Sequence, residues 1–280
     1  TLVFPPQRTY LETMRRVRNN TQKIASSLNV TGPFNVQYLS QGTNVRVIEC
    51  NLRASRSFPF VSKIYKQNFI EIAMKAMLGL NPDRIEKSLF DIDYVGVKAP
   101  QFSFTRLQGA DPTLGVEMSS TGEVGCLGDD FEEAFLKALI SVGFKLPISS
   151  VLMSTGPLGD KVSFLDGARM MHDHGIKFYA TPGTAEFMAQ YDIPSTVVHF
   201  PSDHLEPNAG DLIERGEVDL VINIPKNYQE AELTNDYFIR RKAVDFGIPL
   251  LTNIELANRL AEAISHKDLA DLRIKALQEY

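Results

Sequence analysis

From Ser150 onward, short apolar runs alternate with stretches of helical spacing, and that rhythm confines the second half of the chain to one architecture. The runs are Ser150-Val151-Leu152-Met153, Lys177-Phe178-Tyr179-Ala180, Thr196-Val197-Val198-His199, Asp219-Leu220-Val221-Ile222 and Ile248-Pro249-Leu250-Leu251. Between them Val162 to His172, Ala209 to Arg215 and Ile254 to Ile264 carry apolar residues at helical spacing. Strands apolar along their whole length are buried on both faces, and strand-to-strand links of this length are helical crossovers. The pattern predicts a small doubly wound parallel sheet of α/β class.

The first half reads differently. Leu11, Met14, Val17, Ile24 and Leu28 predict an amphipathic helix over Thr9 to about Leu28. Phe34 to Leu39 and Val45 to Cys50 predict an antiparallel hairpin around Gln41-Gly42-Thr43-Asn44. A helix is expected over about Gln67 to Leu78, β-type runs at Tyr94 to Val97, Thr113 to Met118 and Glu123 to Leu127, and a helix from Phe131 to about Val142. This half is α+β. The boundary is expected at Gly143 to Ile148, giving domains 1–147 and 148–280, as a length of 280 residues suggests.

Net charge is −5, from 29 basic and 34 acidic residues, with no basic block to track phosphates, so nucleic acid is not an expected partner. Nor is a membrane, since no apolar run approaches the length of a bilayer span. Cys50 and Cys126 are the only cysteines, too few for a disulfide framework or a four-thiolate zinc site. The chain does not begin with Met and is expected to be a piece of something longer.

Two constellations can carry chemistry. In the run Glu49-Cys50-Asn51-Leu52-Arg53-Ala54-Ser55-Arg56, strand alternation puts Glu49 and Asn51 on one face, where a hairpin partner brings Gln37 beside them. A carboxylate with two amide oxygens suits Mg²⁺, and Arg53 and Arg56 suit phosphate oxygens. The plain alternative is a strand end with solvated polar groups. In the second half, Thr155-Gly156-Pro157-Leu158-Gly159-Asp160-Lys161 and Ala180-Thr181-Pro182-Gly183-Thr184 each lie between strand and helix. Glycines, helix N-termini, hydroxyls and Lys161 then suit an anion in a crevice rimmed also by Asn223 and Lys226. Here the plain alternative is an ordinary strand-to-helix turn. Arg240-Arg241 reads equally as a salt-bridged surface pair or as an anion contact.

The stretch Gly32-Pro33-Phe34-Asn35-Val36-Gln37, continued by Ile48-Glu49-Cys50-Asn51-Leu52-Arg53-Ala54-Ser55-Arg56-Ser57-Phe58-Pro59-Phe60-Val61-Ser62-Lys63, resembles the end of the second ATP-grasp unit of the carbamoyl phosphate synthetase large subunit. Ser119-Ser120-Thr121-Gly122-Glu123-Val124 extends the likeness, and the second half resembles that family's methylglyoxal-synthase-like regulatory domain. The resemblance implies a partial ATP-grasp domain followed by an allosteric domain. For the complete protein it implies an ATP-dependent ligase making carbamoyl phosphate from bicarbonate, ammonia and two ATP, the ammonia free or delivered by a glutaminase subunit or domain. Its cofactors would be ATP and Mg²⁺ (or Mn²⁺). Gln37 and Glu49 match ATP-binding positions, and together with Asn51 metal-ligand positions; Arg53 and Arg56 match phosphate-facing catalytic arginines. Lys161, Thr181, Thr184, Phe200, Asn223 and Lys226 match effector positions.

The effector is expected to be UTP, phosphoribosyl pyrophosphate or N-acetylglutamate. Lys161 leans toward a phosphate, while Lys226 and Asp236 stand where the urea-cycle type has asparagines, and Leu250 disfavours ornithine. The product would serve pyrimidines, arginine or urea, with a cytoplasmic location, or the mitochondrial matrix for the urea-cycle type. Without the upstream remainder of the polypeptide the fragment is expected to be inactive. The alternatives are a stand-alone effector-binding module and a methylglyoxal-synthase-like lyase, the latter disfavoured because Asn208-Ala209-Gly210-Asp211 lacks that enzyme's glycine-glycine-aspartate run.

Overall fold

The computed structural model describes residues 1–82, 85, 88–113, 120–224 and 230–280. Packing divides the chain into two compact units, Thr1–Lys98 and Ala99–Tyr280. The first begins with strand β1 (Leu2–Phe4), followed by helix α1 (Leu11–Ser27), and then the hairpin β2 (Asn35–Gln41) and β3 (Asn44–Asn51). The hairpin closes on Gly42-Thr43, where Gly42 takes φ +58, a conformation glycine enters without steric cost. Thr13, the buried residue of α1, donates its hydroxyl to Gly42 O at 2.8 Å, and Thr21 Oγ1 lies 2.7 Å from Tyr38 Oη, so the helix grips both hairpin strands. Leu39, Val47 and Ile48 are exposed on the hairpin.

The expected helix near residues 67–78 is α3 (Phe69–Met77), started by the Asn68 side chain, which accepts from Glu71 N. It is preceded by an unexpected helix, α2 (Phe58–Tyr65). Pro59 falls in its first turn, where proline costs no hydrogen bond. Strand β4 (Val95–Gln101) pairs antiparallel with β1 through Leu2 to Lys98 and Phe4 to Gly96.

In the second unit, β5 (Gly122–Gly128) leads into α4 (Phe131–Ser141). A Cβ at Gly128 would sit 2.4 Å from Ala134 N, so only glycine lets the chain turn this closely into the helix. Asp130 caps α4 by accepting from Glu133 N, and Ala134, Phe135, Leu136, Ala138 and Leu139 are its buried apolar residues. The expected strand at Thr113 to Met118 lies, beyond Thr113, outside the described residues.

The remainder runs β6 (Ser150–Thr155), α5 (Leu158–Ser163), α6 (Leu165–Asp173), β7 (Lys177–Ala180), α7 (Pro182–Ala189), β8 (Thr196–Val197), α8 (Ala209–Glu214), β9 (Leu220–Ile224), α9 (Glu230–Asp245), β10 (Leu250–Leu251) and α10 (Ile254–His266). The five strands form one parallel sheet in the order β10-β9-β6-β7-β8. The helix expected over Val162 to His172 is two helices, α5 and α6, meeting at the fully buried Phe164. Leu152 on the central strand is fully buried in the cluster of Val198, Leu212, Ile213, Val221 and Ile239. Leu152→Ala should cost about 2–5 kcal/mol, read as a lower urea midpoint with an unchanged slope.

Candidate functional site

The hairpin brings three of the sequence-predicted residues onto one face. Gln37 stands directly opposite Glu49 in the β2–β3 register, and a bulge follows immediately between Gln37 and Tyr38. Asn51, two residues along the same strand, donates its amide Nδ2 to Glu49 Oε1 at 2.7 Å. That bond turns the Asn51 oxygen, rather than its nitrogen, away from the carboxylate, and the donor set presented is a carboxylate with amide oxygens. Hard oxygen donors of this kind fit a divalent cation that completes its shell with water and phosphate oxygens. Arg53 and Arg56 follow the strand end and are exposed; Arg53 Nη1 makes a long 3.4 Å bond to Ala54 O.

The crevice residues converge at the carboxyl ends of β6, β7 and β9. Thr155 N donates to Thr184 Oγ1 at 3.1 Å, and Lys161 Nζ donates to Gly183 O at 2.6 Å, which ties the turn after β6 to the turn after β7. Thr181 occupies the N-cap of α7 without capping it; its hydroxyl instead lies 3.3 Å from Ser154 Oγ and 3.4 Å from Thr184 Oγ1. Ser154 is the register partner of Asn223, which is completely buried. Asn223 Nδ2 donates to Asp236 Oδ1 at 2.9 Å, and Ser154 Oγ donates to the same oxygen at 3.3 Å. Phe200 is half-buried against the apolar cluster around Leu152 and Val221. Lys226 lies outside the described residues.

Sequence reasoning missed the ion pair behind this floor, between the buried Arg240 and the partly exposed Asp111. Arg240, 1% exposed, donates from Nη1 to Asn223 Oδ1 at 2.8 Å and forks onto Asp111 with 2.8 Å and 2.5 Å bonds. Burial alone would push the Asp111 carboxyl up, but the fork from Arg240 and the hydrogen bonds from Thr113 hold it below the usual range. Arg241, which with Arg240 reads equally as a salt-bridged surface pair or as an anion contact, is likewise buried. The only local signal was spacing, with Asp236 and Arg240 one helical turn apart on the face that also buries Ile239 and Ala243. Asp111, far off in sequence, had no signal at all. Among the described residues no cluster of His, Cys, Asp or Glu is suited to hold a metal, and no helix is long and apolar enough to cross a membrane.

Comparison with known proteins gives two separate matches, one in each half of the chain. Residues 2–84 match the model of the carbamoyl-phosphate synthase L chain, ATP binding domain, and residues 163–252 match that of the MGS-like domain. The chain is similar along its whole length, at 44% identity, to the mitochondrial carbamoyl-phosphate synthase [ammonia] of Aquarana catesbeiana, covering 19% of that protein. It is 43% identical to the Homo sapiens protein of the same name over 97% of the chain and 18% of the relative. To the multifunctional protein pyrABCN of Emericella nidulans it is 44% identical over 95% of the chain and 12% of the relative. The chain thus spans less than a fifth of the length of the curated relatives it matches. It carries a match to the carbamoyl-phosphate synthase L chain, ATP binding domain, followed by a match to an MGS-like domain, and is similar to one part of the carbamoyl-phosphate synthases.

Proposed function

We propose that this chain is the C-terminal portion of an enzyme that makes carbamoyl phosphate from bicarbonate, ammonia and two ATP, and that it supplies one wall of the carbamate-phosphorylating site together with an effector-binding domain. The observation that carries the first half is the hairpin face on which Gln37 opposes Glu49 and Asn51 is bonded to Glu49. Gln37, Glu49 and Asn51 hold Mg²⁺ (or Mn²⁺) with ATP, and Arg53 and Arg56 face the phosphates. The metal neutralises charge that grows on the β and γ phosphate oxygens during transfer. Glu49 fixes the carboxylate end of the donor set, Asn51 keeps that carboxylate oriented, and the two arginines orient the γ-phosphoryl group. The upstream remainder of the polypeptide covers the nucleotide, and ammonia enters free or from a glutaminase subunit or domain. The catalytic portion takes residues 1–147 and the effector-binding domain 148–280.

The test is the partial reaction in the complete polypeptide, ATP synthesis from carbamoyl phosphate and ADP. If restoring the upstream sequence adds no such activity, the enzyme reading fails and a stand-alone binding module takes its place.

The crevice binds a small-molecule effector with two unlike ends. Lys161 and the start of α7 favour phosphate at one end, while the Asp236 carboxylate on the floor favours hydrogen-bond donors at the other. UTP and phosphoribosyl pyrophosphate meet that description through phosphates and ribose hydroxyls; N-acetylglutamate brings two carboxylates. Thr181, Thr184 and Phe200 contact the effector, with the buried Asn223 beneath them; Lys226 is a further proposed effector residue. Calorimetry on the 280-residue chain should show Lys161→Ala weakening UTP or phosphoribosyl pyrophosphate about tenfold, the loss of one charge-assisted hydrogen bond. Tight N-acetylglutamate binding that survives the substitution would reverse the assignment. A cytoplasmic location goes with the phosphate-bearing effectors, and the mitochondrial matrix with N-acetylglutamate.

A further inference from the structure

One turn of α9 holds two things at once. On one side it touches the crevice floor, where Asp236 accepts from Ser154 and Asn223, and Arg240 donates to Asn223 Oδ1. On the other it grips the segment 102–113. Tyr237 Oη donates to Gly109 O at 3.1 Å, and Arg241 Nη1 donates to Phe104 O, Leu107 O and Ala110 O at 3.1, 3.0 and 3.2 Å. Arg240 forks onto the Asp111 carboxylate. Arg241 is braced from behind by Asp245, and Gly109 takes φ +73, so the loop presents its carbonyls through a turn that favours glycine.

We propose that Arg240 is a coupling strut, a positioning residue that makes the geometry of segment 102–113 depend on the state of the crevice floor. The guanidinium is planar and almost wholly buried, so it has no water to exchange partners with. Any group that displaces Asn223 or Asp236 must tilt the plane of Arg240. The fork onto the partly exposed Asp111 then moves with it, because the buried Arg240 charge is strongly disfavoured without a partner. Coupling is reciprocal, so a change at Asp111 must return to the crevice as a change in affinity. Only this ligand-dependent half rests on the crevice being an effector site.

Hydrogen exchange on the 280-residue chain separates the two halves. The amides of Arg106, Leu107 and Ala110 are hydrogen-bonded within the segment to Ser103 O, Phe104 O and Leu107 O, and so report on its order. With no ligand present, Asn223→Ala should speed their exchange about tenfold, and the isosteric Asp236→Asn should act in the same direction. Ser150→Ala, at the opposite end of β6, should leave them within about twofold of wild type. Unchanged exchange in both floor variants, or an equal rise in Ser150→Ala, would overturn the strut. With UTP, phosphoribosyl pyrophosphate and N-acetylglutamate as probes, Asp111→Asn should weaken whichever binds by about tenfold, although Asp111 lies on the far side of Arg240 from the floor. Unchanged affinity would overturn the reciprocal half. If none of the three binds wild type, the effector reading fails for these probes, while the exchange result still decides the strut.

Discussion

Glu49→Gln in the complete polypeptide is expected to lower ATP synthesis from carbamoyl phosphate and ADP by roughly 10²–10³-fold, the scale of losing one preorganised electrostatic contact in a dry site. Glutamine keeps the shape and still accepts from Asn51 Nδ2, so the hairpin register survives. What goes is the only formal negative charge among Gln37, Glu49 and Asn51. Amide oxygens alone bind a divalent cation far more weakly, so the loss should be partly relieved by raising Mg²⁺. Asn51→Asp provides the contrast: it adds a second carboxylate, but sets like charges side by side across the 2.7 Å contact. Full activity in Glu49→Gln at low Mg²⁺ would remove the hairpin face from the site.

The second large effect concerns stability. Glu133 is 1% exposed, accepts from Asp129 N at 2.8 Å and Arg273 N at 2.9 Å, and pairs with Lys137 at 2.8 Å. Burial alone would push its carboxyl up, but Lys137 and the two backbone N–H groups more than offset this and hold it down at about 2. A carboxylate whose folded value lies below its ordinary 4.5 stabilises the fold above that pH, and the contribution is lost as pH falls from about 4.5 toward 2. The depression corresponds to about 3 kcal/mol. Urea unfolding followed by circular dichroism should therefore show Glu133→Gln less stable than wild type by about 3 kcal/mol at pH 7, with the gap shrinking to about half or less at pH 3. A gap independent of pH would mean that the effect is one of packing. Asp129 contributes with the same sign, held below its usual range first by the hydrogen bond from Lys275.

The central strands β6 and β9 were legible because an element buried on both faces is mostly apolar, and Leu152, Leu220, Val221 and Ile222 are all fully buried; β8 was legible from its apolar run although Thr196 and Val197 are exposed. The hairpin was legible through its turn, and its register followed from alternation, which is why Gln37, Glu49 and Asn51 emerged together. Helix α2 was not, because Pro59 is neutral in a first turn and disruptive elsewhere, and spacing alone does not say where a helix begins. Strand β8 is shorter than its apolar run: beyond Val197 the chain leaves the ladder, and His199 instead bridges to Asn208. The pair of Asp111 and the buried Arg240 was invisible for a different reason. Each looks solvated in its own neighbourhood, and only the fold brings together residues 129 apart.

The hairpin has a practical side. It is a two-stranded sheet among the described residues, with Leu39, Val47 and Ile48 exposed along it. Unpaired outer backbone beside exposed apolar side chains is a template for strands of other molecules. Along β3 the charges that oppose such stacking are Arg46 and Glu49. Glu49 thus also guards the chain against self-association in concentrated solution, and its removal leaves Arg46 to do so alone. Samples of Glu49→Gln therefore need light scattering before assay, since precipitation and loss of a metal ligand would both register as lost turnover.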